Sequence, residues 1–165
     1  MIQRRQTLYL LTIVILGIVL FFVPVIQFTT PESAGLQRMF YLSATGLEEI
    51  TPELEYRTDL PPVTMNGLWG LMVATALIPL LALVDIFLFK NRILQARWNI
   101  FLAMLCIGYY ALVWMYTWFG KHQLHTEWDF CFGACIPLIC LVLTIGATRL
   151  ILKDEALVRA ADRIR

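Results

Sequence analysis

The sequence predicts an all-α membrane protein: four transmembrane helices as two hairpins, with a small outer β-hairpin loop between spans 1 and 2 and a cytoplasmic C-terminal helix. Three observations predict it. Of the 165 residues, 59% are hydrophobic and only 15% charged, far from the composition of a soluble domain. The excess is gathered into four apolar runs, at about residues 7–28, 66–89, 98–119 and 129–152. Each has about 20 residues or more, which at about 1.5 Å per residue crosses a hydrocarbon core of about 30 Å. The charged residues lie between the runs and segregate by side. One domain covering residues 1–165 follows, with an outer loop at 29–65 and a tail at 153–165.

The first run follows Arg4 and Arg5, the layout of a signal peptide, yet it is longer than a signal h-region and no A-x-A site follows it. It reads as an uncleaved span. The loop after it is acidic by four charges, with Glu32, Glu48, Glu49, Glu53, Glu55 and Asp59 against Arg38 and Arg57. Within it, Arg38 to Leu42 is aromatic and strand-like, Ser43-Ala44-Thr45-Gly46 is a turn signal, and Leu47 to Ile50 is a second short run. A hairpin is expected there, and Pro61-Pro62 ends regular structure before the second span.

Gly67, Gly70 and Ala74 share a face of the second span, where small side chains let another helix come close, and Pro79 should bend it. The turn Leu83 to Arg97 then joins the two hairpins. Trp69, Trp98, Trp118 and Trp128 fall at expected span ends, as an aromatic belt requires. The stretch Ala76 to Val84 matches Ala134 to Val142 at six of nine positions, which suggests a repeated hairpin. In the tail, Ala156, Leu157, Ala160, Ala161 and Ile164 form a stripe at helical spacing. Span 4 and tail can be one helix, or the tail can lie on the membrane surface.

Basic residues set the orientation. Arg4, Arg5, Lys90, Arg92, Arg97, Arg149, Lys153, Arg159, Arg163 and Arg165 fall on one side, and only Arg38, Arg57 and Lys121 on the other. The positive-inside rule puts both termini and the Lys90 to Arg97 turn in the cytoplasm. These charges flank spans and form no stripe, so no nucleic-acid partner is expected. The bilayer is the first partner expected, and a membrane or cytoplasmic protein the second.

Asp85 is the one acid inside an apolar run, and such a carboxylate raises proton or cation handling. Its position five residues before Lys90, about 7.5 Å along a helix, favours an anchoring ion pair with Lys90, Arg92 or Arg97. His122, His125, Glu127 and Asp129 have residue types that could hold zinc, but they lack the HExxH form and polar loop residues account for them equally well. Cys106, Cys131, Cys135 and Cys140 all fall within spans 3 and 4, without a CxxC, and read as small packing residues. No serine–base pair, phosphate loop or buried carboxylate pair stands out, so neither catalytic residue nor cofactor is expected.

The start MIQRRQTLYLL and the finish KDEALVRAADRIR, with LSATGLEE at Leu42 to Glu49, resemble a family of small four-span inner-membrane proteins of Gram-negative bacteria known only as a domain of unknown function. The resemblance covers the whole chain. It implies an all-α inner-membrane protein and brings no activity or site residue with it. The expected function is a non-enzymatic accessory or scaffold subunit, with Asp85, Lys90, Arg92, Arg97, Arg149, Arg159 and Arg163 as structural or interaction residues. The alternative is a small transporter or ligand-binding bundle that uses Asp85.

Overall fold

The computed structural model describes residues 5–29, 39–49, 68–88, 91–124 and 127–162. In chain order these form α1 (Arg5–Val19), β1 (Ile26–Thr29), β2 (Met39–Leu42), β3 (Leu47–Glu49), α2 (Trp69–Phe87), α3 (Arg92–Leu124), β4 (Glu127–Phe130), a single 3-10 turn (Phe132–Ala134) and α4 (Cys135–Asp162). α1 packs on α2 and α4, and α3 packs on the same two, so the four helices close a ring. Three of them are long and apolar enough to cross a membrane, and α1 is a shorter apolar helix.

The first span was expected to run as helix to Phe28; helical structure ends at Val19 and a strand starts at Ile26. The cause lies in VPVIQFT. Pro24 has no N–H to continue the ladder and disfavours helical geometry at Val23. Beyond it, Ile26, Gln27, Phe28 and Thr29 alternate buried and half-buried, the period of a strand. The hairpin expected near residues 38–50 is present as β2 and β3, but it is part of a larger sheet of order β3-β2-β1-β4, antiparallel throughout. β4 straddles the expected boundary between the outer loop and the fourth span at Asp129, where Glu127-Trp128-Asp129-Phe130 alternates polar and apolar.

The register explains how the sheet meets the helices. Ile26 pairs with Leu42, and Phe28 with Phe40; all four are buried and continuous with the helical core. Gln27, Tyr41 and Asp129 share the opposite face. The β2–β3 turn is held by the Ser43 amide donating to the Gly46 carbonyl at 2.9 Å, and Gly46 has φ +151°, which only glycine adopts readily. The Cys131 amide donates to Val25 at 3.0 Å and the Val25 amide to Leu42 at 2.8 Å, which ties the start of α4 and the hairpin to one strand.

α3 extends well beyond the expected 98–119. The basic joint is its first turns, since the Gln95 amide already donates to the Asn91 carbonyl at 2.9 Å, and its far end takes in Lys121 and His122. The question of the tail is settled for the backbone, because α4 runs unbroken to Asp162. The two halves of the suggested repeat occupy different places: Pro79 lies in the middle of α2, whereas Pro137 is in the first turn of α4. A proline in a first turn breaks no hydrogen bond, so the two residues do different work.

Inside a lipid environment helices associate through close packing. A Cβ on Gly17 would lie 2.8 Å from Pro79 Cδ, so α1 crosses α2 where glycine meets the proline ring. Gly70 makes room for the Tyr116 hydroxyl in the same way, and Ala74 is buried as its spacing suggested. Gly67 and Pro61-Pro62 lie outside the described residues. Interior threonines need no partner from elsewhere: Thr75, Thr117 and Thr144 donate to the carbonyls of Leu71, Val113 and Cys140, one turn back, at 2.8, 2.7 and 2.7 Å.

Gly133 is where the sheet and the bundle interlock, and a Cβ there would collide with the Pro24 carbonyl. Gly133→Ala is therefore expected to cost about 1–3 kcal/mol of stability, as overpacking does. Gly108, with open space around it, is the control: Gly108→Ala should be neutral or stabilising by about 0.5–1 kcal/mol. Thermal unfolding of the purified variants in one detergent checks both.

Candidate functional site: a buried polar cluster opposite the sheet

The end of the bundle away from the sheet is formed by the start of α1, the end of α2, the start of α3 and the second half of α4. Among the described residues, four polar side chains are buried there: Gln6 from α1, Asp85 from α2, and Gln95 and Asn99 from α3. Their placement follows from helical spacing. Gln6 precedes Leu10 and Ile13 on the buried stripe of α1; Asp85 follows Ile78 and Ala82 on that of α2; Gln95 and Asn99 precede Leu102 and Cys106 on that of α3.

α2 and α3 are joined directly across this cluster, since the Gln95 side-chain amide donates to the Asp85 main-chain carbonyl at 3.1 Å. Asn99 sits one turn further along the same face of α3. The remaining polar atoms are unmatched. Among the described residues, both Asp85 carboxylate oxygens, Gln95 Oε1, Gln6 Oε1 and both side-chain polar atoms of Asn99 are buried without a hydrogen-bond partner. Five of these six atoms are oxygens, so the cluster has a surplus of acceptors. Buried polar groups are ordinarily matched, and an unmatched carboxylate is the most costly kind.

Asp85 was expected near the headgroups, paired with a basic residue of the turn. It is 1% exposed, and its carboxylate forms no ion pair among the described residues, which include Arg97 but neither Lys90 nor the Arg92 side chain. The cause is rotational. Asp85 falls on the inward stripe of α2, while Arg97, two residues from both Gln95 and Asn99, is carried to the exposed side of α3. Arg92 lies in the first turn of α3, Arg149 is exposed on α4 and Arg159 lies further along α4; Lys90 and Arg163 are outside the described residues.

On the far side of the cluster, Ile78, Ala82, Leu102 and Cys106 make an apolar layer that is fully buried. Beyond it Tyr109, about 15 Å from Asn99 along α3, sits beside Thr75 as a separate polar pair. The cluster is therefore closed toward the sheet.

At the sheet end the zinc candidates are not brought together. The His122 ring packs at a tilt against Trp118 with centroids 4.9 Å apart, and Glu127 and Asp129 project from one face of β4 into the open. His125 is outside the described residues, and among those described no three metal-ligating side chains converge. What this end does build is an aromatic groove lined by Trp114, Thr117, Trp118, Lys121 and Trp128. Cys106 and Cys140 are buried and Cys135 is exposed, all as free thiols.

Gln6, Gln95 and Asn99 were not among the residues singled out from the sequence. The signal was there: each is an amide in phase with a buried apolar stripe. With the Asp85 carboxylate buried and Arg97 exposed on α3, a direct expectation follows for Arg97→Ala. It should leave the thermal midpoint unchanged to within about 2 °C, as surface substitutions do, whereas loss of a buried ion-pair partner is strongly destabilising. A melt of purified Arg97→Ala beside the parent protein makes the comparison.

No curated protein matches this sequence. A family model does, over residues 2–164, and on that near-complete match the chain belongs to the family described as a domain of unknown function, DUF4293.

Proposed function

We propose that the chain is a multi-pass inner-membrane protein with both termini and the α2–α3 turn in the cytoplasm, acting as a non-enzymatic accessory subunit for a membrane or cytoplasmic protein. The carrying observation is the division of its surface. Large apolar side chains are exposed along all four helices, such as Ile15, Leu80, Met104 and Val142, while basic residues gather at the end opposite the sheet. Only lipid makes the first economical, and the positive-inside rule gives the second its direction. Phe22, Trp69, Trp118 and Phe132, exposed near the sheet, suit the aromatic level of the opposite interface.

In this reading the two polar ends do the work. The cytoplasmic end offers exposed Arg97, Arg149 and Lys153, and the outer end offers a sheet whose solvent face carries Glu127 and Asp129. Lipid covers the sides, so a partner's polar surfaces meet these ends. A second reading, a small transporter or ligand-binding bundle, is favoured by one observation, the buried and unmatched Asp85 carboxylate.

Two measurements test this. A fluorescent-protein fusion at the C-terminus should be bright, and alkaline phosphatase inserted in the turn after Ser43 should be active; the opposite pattern overturns the orientation. Purification of the full chain in a mild detergent should retain a partner protein at fixed stoichiometry by mass spectrometry. An isolated chain that holds no other protein overturns the accessory role.

A further inference from the structure

We propose that the polar cluster opposite the sheet is a binding site for one monovalent metal cation, sodium in the first instance, held by the Asp85 carboxylate with side-chain oxygens of Asn99 and Gln95, and closed from the α1 side by Gln6. This rests on the second reading above and gives its ligand a chemical class.

The donor set selects the class. Every acceptor in surplus is oxygen, from one carboxylate and three carboxamides, and oxygen-only sets suit hard cations. Charge selects the valence. The cluster brings a single formal negative charge into the bundle, so a monovalent ion neutralises it, whereas a divalent ion would leave a positive charge in a low-dielectric interior. A proton would also cancel the charge. One proton would match at most one of the three carboxamide oxygens, which have no donor among the described residues. One ion among the side chains answers both needs.

Geometry favours capture over passage. The Gln95 amide already clamps α3 to the Asp85 carbonyl, so the ligands come from helices held in fixed relation. The layer of Ile78, Ala82, Leu102 and Cys106 shuts the site toward the sheet. The ion enters from the basic end and leaves by the same route. Once bound, it draws the start of α1, the end of α2 and the start of α3 onto one centre.

The full chain, purified in detergent, is dialysed into sodium chloride or choline chloride at equal ionic strength, and ²²Na⁺ binding and the thermal midpoint are read. The parent protein should bind one sodium ion per chain, and its midpoint should rise by about 5 °C when sodium is at about 100 times the dissociation constant. Asp85→Asn should lose the binding and melt alike in both salts. Asn99→Ala and Gln95→Ala should weaken sodium about tenfold or more, and they decide the matter if Asp85→Asn does not fold. The proposal is overturned by a parent protein that binds no ²²Na⁺ and melts alike in both salts. It is equally overturned by Asp85→Asn that binds as well as the parent, or by calcium that binds with no competition from sodium. Failure of transport is read separately: proteoliposomes that bind ²²Na⁺ without moving it across the bilayer remove that reading and leave the site intact.

Discussion

Every backbone group that enters an apolar environment must find its partner within the chain, and this constraint governs how the bundle is closed at the sheet end. The segment after α1 cannot remain helical past Pro24, and left as an irregular strand it would expose unpaired amides and carbonyls. β1 resolves this by sitting in the middle of the sheet, bonded to β2 on one side and β4 on the other. The strand that would have been the liability is the one with two neighbours. From that arrangement follow the entry of α4, held by the Cys131 amide on Val25, and the requirement for glycine at 133.

With one end closed by backbone hydrogen bonds, the other is left to side chains, and there the chain behaves differently. Threonines within the bundle satisfy themselves on their own helices, so they carry no demand for a partner. Glutamine, asparagine and aspartate are too long or too acceptor-rich for that solution. Four of them are buried where three helices begin or end. Among the described residues one hydrogen bond of theirs, from Gln95 to the Asp85 carbonyl, joins two helices. The unmatched remainder is the most costly feature of the interior, which makes it the place where a function is best sought.

The apolar runs, the β2–β3 hairpin and the small-residue face of α2 were legible in the sequence because each depends on local pattern: length, turn residues, spacing. The early end of α1 and the identity of β4 were not. Val23 to Thr29 and Glu127 to Cys131 are short apolar or alternating stretches that continue a long run, and only their pairing with each other decides that they are strands. The joint was read for its charge, which is visible, rather than for Gln95 and Asn99, whose importance depends on the face of α3 they occupy. Asp85 stands out in the sequence as the one acid of an apolar run, but the stripe of α2 on which it falls, and so its inward direction, depends on the packing of the helices.

The early end of α1 bears on the lipid as well as on the chain. Its 15 residues span about 22 Å, short of the hydrocarbon thickness that α2, α3 and α4 can cross. A bilayer meeting this bundle therefore faces a hydrophobic mismatch on one flank only. In a bilayer, lipids beside α1, next to the outward-facing Phe22 (81% exposed), would meet a shorter helix than lipids beside α3. Such a lopsided rim gives the protein a preferred side toward thinner membrane and toward any neighbour that can relieve the strain, a bias built into the fold before a single specific contact is made.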